Sequence, residues 1–379
     1  MPISPKQPPA TGPAACDGGR TIGAVTIPKL AIRLHGGLAP RRCVELAVAA
    51  ETHGFSSVWF AENPFGRGVL PAASACAAAT ARLRIGIGVF NPFNRHPTLM
   101  AMEIGALDEL SRGRAALGIG AGIAAQVERM GFGYDRPIGA VRDAFAIVRG
   151  LLRGATVTHE GRDFSATDVK LDFTPLRSDL PLFMAARGDQ SLRLCGEVAD
   201  GLMVSNMCNP AFTAAAVGKI RASARAKGRE APFEVVQYVP CAVSDDADAA
   251  IRMAKDMVAA MLPVYWTLGD RFAPARAALA RGSGISEAEF SAAVEELRIG
   301  TPAAEALDDR FIAAFALAGT PAQCIEQAAI YRDAGVTEIA LAFGGAQPEV
   351  AIAALGKLIA GLTPTGRAQP PRRPSCRGL

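Results

Sequence analysis

The stretch Leu107-Asp108-Glu109-Leu110-Ser111-Arg112-Gly113-Arg114-Ala115-Ala116-Leu117-Gly118-Ile119-Gly120-Ala121-Gly122 decides the fold. It reads as a helix end, a tight Ser-Arg-Gly-Arg turn and a short buried strand that runs out into glycines. Glycines at a strand end let a flat cofactor or a phosphate lie against bare backbone. A dinucleotide fingerprint would need a third glycine where Ile123 stands and an early strand ahead of the motif. Neither is present, so a Rossmann reading fails.

Outward from this unit the chain alternates. Residues 25–34, 57–61, 83–89, 115–120, 182–186, 201–205, 233–243 and 338–342 have the short apolar runs of buried strands. Helical patterns follow at 40–53, 70–80, 98–110, 140–152, 191–199, 210–227, 321–334 and 349–359. The rhythm breaks twice, at about 155–178, where residues alternate around a Glu160-Gly161 turn like a hairpin, and at 247–318, a helical excursion. Interleaved helices require parallel strand pairing, and eight such units close a (β/α)8 TIM barrel with inserted segments, the alternative being an open doubly wound sheet. Both bind ligands beyond the carboxyl ends of their strands. Residues 23–362 are read as one domain, flanked by Pro-, Gly- and Arg-rich stretches at 1–22 and 363–379 that lack apolar periodicity and read as disordered tails.

Composition narrows the function classes. Half of the 379 residues are hydrophobic and 20% are charged, enough for a large core. The net charge of +4 is accounted for by Arg367, Arg372, Arg373 and Arg377 in the acid-free last segment, which leaves no basic face for nucleic acid. Cys16, Cys43, Cys76, Cys195, Cys208, Cys241, Cys324 and Cys376 stand singly, with no zinc-type spacing and no disulfide framework, so no metal site is expected and a reducing, cytoplasmic setting is. Pro2, Pro5, Pro8, Pro9 and Pro13 interrupt the start where a signal peptide would be apolar, and no run reaches membrane-spanning length. The final Cys376-Arg377-Gly378-Leu379 lacks the aliphatic pair of a prenylation box.

The strand ends are the places to look for chemistry, and they hold few acids or bases. Such poverty is usual where a cofactor does the difficult step and the protein supplies shape. His35 ends the first strand and either caps its turn or donates a proton. Glu62 closes the second as a structural or a functional carboxylate; Asn63 and Asn91, each before a proline, suit turns. At the fifth, Arg187-Gly188-Asp189 opens a helix, which makes an anion site from backbone N–H groups and a guanidinium, or else an ordinary connection capped by Asp189.

These stretches, taken together, resemble the luciferase-like, flavin- and deazaflavin-dependent oxidoreductases. The opening signature, Ala47 to Phe60, Thr80-Ala-Arg-Leu-Arg-Ile-Gly-Ile-Gly-Val, Arg95-His96-Pro97, Glu197-Val198-Ala199-Asp200-Gly201 and Phe315-Ala316-Leu317-Ala318-Gly319-Thr320-Pro321 carry the likeness over about residues 25–360. Val169-Lys170-Leu171-Asp172-Phe173-Thr174-Pro175 and Ala185-Ala186-Arg187-Gly188 point to the branch similar to methylenetetrahydromethanopterin reductase, whose cofactor is coenzyme F420.

The resemblance implies a non-prolyl cis peptide at Gly88-Val89 supporting a tricyclic ring. It puts Glu62 and Asn63 beside the ring, Ala121 and Gly122 along the ribityl chain, and Arg187, Gly188 and Asp189 at the phosphate; Asn91 and Ser205, at the third and sixth strand ends, join this set. Glu62 and His35 are the catalytic candidates, although many deazaflavin members have Asp-His in place of Glu62-Asn63 and some a Glu in place of Ile123. The expected reaction is hydride transfer to or from a small organic substrate. The alternatives are an FMN-dependent monooxygenase and a flavin-binding barrel without catalysis. Family members commonly dimerise, and the Ala-rich segment 44–50 suits a homodimer.

Overall fold

The structure, a computed structural model, describes residues 20–22, 25–230, 232–271, 273–361 and 363–364. Eight parallel strands form its centre: β1 (Lys29–His35), β2 (Ser57–Ala61), β3 (Arg84–Phe90), β4 (Ala115–Ile119), β5 (Leu182–Ala185), β6 (Gly201–Val204), β7 (Glu234–Val243) and β8 (Glu338–Phe343). Each pairs with its neighbour in chain order, β8 returns to β1, and the ring is a closed (β/α)8 barrel. The open-sheet alternative is thereby removed. Helices begin sharply because proline stands in the first turn at Pro40, Pro97, Pro137, Pro210, Pro321 and Pro348, where its missing N–H has no intrahelical partner to lose. Among the described residues no helix is long and apolar enough to cross a membrane.

Alternate residues of a barrel strand face inward. Outward residues such as Leu30, Ile32, Ile85 and Leu117 join the large core under the helices, while Ala31, Trp59, Ala116, Phe183, Met203 and Tyr238 fill the interior. Trp59 and Phe183 meet edge-on, ring centres 5.2 Å apart. Room for them comes from glycines: a Cβ at Gly86 would overlap the Trp59 indole, and one at Gly201 the Phe183 ring. The amino end is closed by polar groups that satisfy one another. Glu338 accepts hydrogen bonds from Trp59 Nε1, at 2.7 Å, and from Ser57 Oγ, and Arg84 donates to both oxygens of Glu234 at 2.7 and 3.1 Å. The interior is therefore filled and its polar groups are satisfied at the amino end.

The first insertion is an antiparallel hairpin, Val157–Glu160 with Ser165–Val169. The second is a helical group with its own core, in which Trp266 stacks on Phe290 at 5.2 Å. Three boundaries differ from the sequence reading. The expected strand 25–34 splits at Pro28, which has no N–H for a ladder, into Val25–Ile27 and β1. Val25–Ile27 pairs with Arg20–Ile22, which pairs with Thr363–Pro364, so these parts of the expected tails are strands, and the rest of both tails lies outside the described residues. The helical excursion stops short of 318: Leu317–Gly319 is a strand that pairs in parallel with the far end of the long β7. A short helix at Ala124–Arg129, after the glycine turn, has no counterpart in the sequence reading.

Candidate cofactor site

The wall that faces the open mouth is built from missing side chains. The Gly88-Val89 peptide is cis, and the ladder between β3 and β4 shifts register there. Tyr238 reaches across from β7 and donates to the Gly88 carbonyl at 2.8 Å; a Cβ on Gly88 would meet that hydroxyl and the Met203 thioether. Burial pushes the Tyr238 phenol well above its ordinary range, so it remains a neutral donor. Beside it, a Cβ at Gly120 would press on both Val89 and Ala185 at 3.0 Å. Gly122 takes φ +75°, its carbonyl accepts from Tyr134 at 3.1 Å, and the Asn91 amide occupies the space a side chain would need. Asn91 is buried, and its Oδ1 accepts from Phe93 N at 2.9 Å. Gly88, Val89, Asn91 and Gly122 are thus brought together, with Ala121 half-buried in the same turn.

A second group gathers around Arg187. Its Nη2 donates to Ser205 Oγ at 2.9 Å and to the Asn206 carbonyl at 3.0 Å, and its guanidinium lies 5.1 Å from the centre of the Tyr265 ring, contributed by the helical insertion. Gly188 is the N-cap of the helix Asp189–Val198, whose first N–H groups lack intrahelical acceptors as at any helix start. Arg187 Nη1 and Asn206 Oδ1 are buried with no hydrogen-bond partner. Asp189 departs from expectation: it is neither N-cap nor turned to the mouth. Its exposed carboxylate is ion-paired with Lys219, whose hydrogen bond holds its pKa below the ordinary value.

Glu62 is held rather than free. Arg95 Nη1 donates to both of its oxygens at 2.9 Å, Arg95 Nε lies 2.7 Å from Glu103, and the guanidinium sits 4.0 Å over the Phe90 ring. Burial pushes the Glu103 carboxyl up, against the opposing charge of Arg95, and Glu62 adds to that rise. Two carboxylates sharing one guanidinium make a brace between the second and third strand ends. Asn63 is exposed and turns back to accept from Phe65 N at 3.3 Å. The exposed His35 caps its own turn, Nδ1 accepting from Gly37 N at 3.1 Å; desolvation, and then the Arg33 charge, lower its pKa.

A family model described as luciferase-like monooxygenase matches residues 21–338. The chain belongs to that family. The 5,10-methylenetetrahydromethanopterin reductase of Methanolobus tindarius is 32% identical over 83% of this chain and 94% of its own. Among solved structures, the coenzyme F420-dependent tetrahydromethanopterin reductase from Methanopyrus kandleri has a TM-score of 0.75 at 26% identity, covering 87% of this chain and 97% of that one. A monooxygenase from Streptomyces bottropensis, TM-score 0.66 at 22% identity over 88% and 97%, shares the fold. This luciferase-like barrel also uses residues that its sequence motifs did not mark. Tyr238 and Arg33 lie in stretches read only as strand, and the one signal was a polar group inside an otherwise apolar strand.

Proposed function

We propose that this chain is a coenzyme F420-dependent oxidoreductase that moves hydride to or from a small organic substrate, in the manner of its methylenetetrahydromethanopterin reductase relatives. The observation that carries the reading is an incompletely satisfied anion site, with Arg187 Nη1 buried and unpartnered, at the same barrel end as the glycine-packed cis peptide of Gly88-Val89. The residues fit the group: a Cβ at Gly120 would crowd the wall, and the orphaned Arg187 Nη1 awaits an acceptor. When bound, the deazaflavin supplies a two-electron carrier whose reactive ring carbon passes hydride and reacts little with oxygen.

This chain's own residues bind and orient. Gly88, Val89, Asn91, Ala121 and Gly122 would line the ring and its chain, with Tyr238 fixing the Gly88 carbonyl. Arg187, Ser205 and the N-terminus of the helix after Gly188 would take the phosphate. The Glu62–Arg95–Glu103 brace would hold the rim beside Asn63. Covering the mouth excludes water, and fixing donor and acceptor in contact removes much of the barrier. Six buried free thiols among the described residues support a cytoplasmic setting, and exposed Val48 and Val350, on adjacent helices, support a homodimer.

The test is anaerobic titration of the purified protein with F420 and with FMN, followed by a substrate panel. Saturable F420 binding with bleaching of its visible band by a substrate is expected. Tight FMN binding with oxygen-dependent turnover overturns the proposal in favour of a monooxygenase, and cofactor binding with no turnover on any substrate points to a barrel that only binds.

A further inference from the structure

On β1 the inward positions alternate with residues that join the outer core: Ala31 belongs to the barrel interior, Leu30, Ile32 and Leu34 to the layer under the helices. Arg33 therefore projects inward, one step above Ala31 and one below His35. Its guanidinium lies 5.0 Å from the centre of the Tyr238 ring, the same ring whose hydroxyl holds the Gly88 carbonyl. Among the described residues Arg33 has no carboxylate partner and no hydrogen-bond acceptor, and its Nε is buried and unsatisfied. A guanidinium carries five N–H donors, and a ring face satisfies none of them by hydrogen bonding.

Arg187 aside, the other arginines that brace the barrel are used up. Arg84 holds Glu234, Arg95 holds Glu62 and Glu103, Arg177 holds Asp108, and Arg114 donates to the carbonyls of Ser111, Leu83, Ala77 and Thr80. A partly buried cation left open at a ligand mouth is costly unless an anion completes it. In a ring of eight strands β1 stands across from β5, so Arg33 and Arg187 occupy opposite walls. Arg187 has a helix N-terminus to help it carry a multiply charged group, whereas Arg33 acts alone and matches a single negative charge.

We infer that Arg33 is a substrate-specificity residue that binds a carboxylate of the substrate through its planar fork, so the substrate class is small organic acids. The inference rests on the reading that the opposite wall takes the cofactor phosphate. A carboxylate meets two parallel N–H groups of the fork, a geometry an amide or ester cannot return with charge. The Tyr238 ring lies beneath the guanidinium and limits where it can move.

The experiment uses the full chain with and without F420, and matched probes: benzoate with benzamide, and crotonate with crotonamide. Wild type is expected to bind each acid about tenfold more tightly than its amide, by calorimetry and by rise in melting temperature. Arg33→Met, which keeps the apolar stem over Tyr238, loses that preference and leaves F420 affinity within about twofold; Arg33→Lys keeps part of it. Equal binding of acids and amides by wild type overturns the inference, as does an unchanged preference in Arg33→Met. If Arg33→Met instead weakens F420 itself about tenfold, the cation serves the cofactor and the inference fails. Failure of wild type to bind F420 while the acid preference persists removes the cofactor reading alone.

Discussion

At the amino end of the barrel interior the charges are matched: Arg84 takes both oxygens of Glu234, and Glu338 takes hydrogen bonds from Trp59 and Ser57. At the carboxyl end the polar groups are left open, with Arg33 Nε, Arg187 Nη1 and Asn206 Oδ1 buried and unsatisfied. Burial is similar in kind at both ends, so satisfaction, not burial, separates scaffold from site. A satisfied buried group stabilises the fold or is neutral to it; an unsatisfied one costs about 1–3 kcal/mol until something completes it. Substitutions at the two ends should therefore act on different measurements.

The largest effect is expected at the amino end. Glu338→Ala strands the Trp59 N–H and the Ser57 hydroxyl and opens a cavity beneath the indole, a loss of about 3 kcal/mol in urea unfolding. F420 affinity of the folded fraction should stay within about twofold of wild type, because the change is at the far end of the interior. A loss in cofactor affinity larger than the loss in stability would break the division between the two ends.

Arg187→Met inverts that pattern. The guanidinium belongs to the residue before the N-cap Gly188 and has a buried donor without a partner, and removing it should weaken F420 by about tenfold to a hundredfold, the value of one charge-assisted hydrogen bond. Stability should move by less than about 1 kcal/mol, since Ser205 and the Asn206 carbonyl can turn to water at the mouth. Fluorescence quenching of F420 and a urea curve on the same preparation read both numbers.

Glu62→Gln lies between the two. The carboxylate is bound at both oxygens by Arg95, so the amide keeps a hydrogen bond while losing the charge, and a cost of about 1 kcal/mol with a few-fold change in F420 affinity is expected. Turnover that survives with an unmoved pH profile assigns Glu62 a positioning role. Turnover abolished with affinity intact would restore it as the proton donor.

The same division explains what was legible in the sequence. The eight strand–helix units and both insertions follow from periodicity, which depends on the apolar faces that every (β/α)8 barrel must bury, whereas closure against an open sheet is decided by the pairing of β8 with β1. The words that identify the family are largely scaffold. Asp108 is buried, paired with Arg177 and bonded to Ala115 N at 3.0 Å, Ser111 accepts from Arg114 N, and the Arg114 guanidinium stitches four carbonyls together. Only the glycines after them reach the mouth. Residues of the candidate site were legible where backbone demanded them, as at Gly88 and Gly122. Arg33 and Tyr238 were not, because their meaning depends on partners far along the chain: Arg33 lies against the Tyr238 ring, and Tyr238 bonds the Gly88 carbonyl 150 residues away. At Asp189 the structure settles only the side chain: Gly188 rather than Asp189 is the N-cap, and the carboxylate pairs with Lys219, one helix on.

The smallest effect tests Arg33 without any ligand. Desolvation and the neighbouring guanidinium both disfavour the charged imidazole of His35, so its pKa lies below 6.5. A His whose folded pKa is depressed binds its proton more readily in the unfolded chain, so its contribution is nil above the unfolded pKa and becomes destabilising as pH falls through 6.5 toward the folded value. Arg33→Met removes one of the two causes, and the His35 pKa should rise toward, though not to, 6.5, because desolvation stays. The acid-side loss of stability assigned to His35 should shrink in the same variant. Proton NMR of the imidazole C–H resonances reads the shift directly, with assignment by the loss of one signal in His35→Gln. Raising the salt concentration on wild type should mimic part of the substitution, since screening weakens a charge at a partly open mouth. A His35 that titrates identically in both proteins would place the guanidinium away from the rim, and with it the contrast between a closed floor and an open, charged mouth.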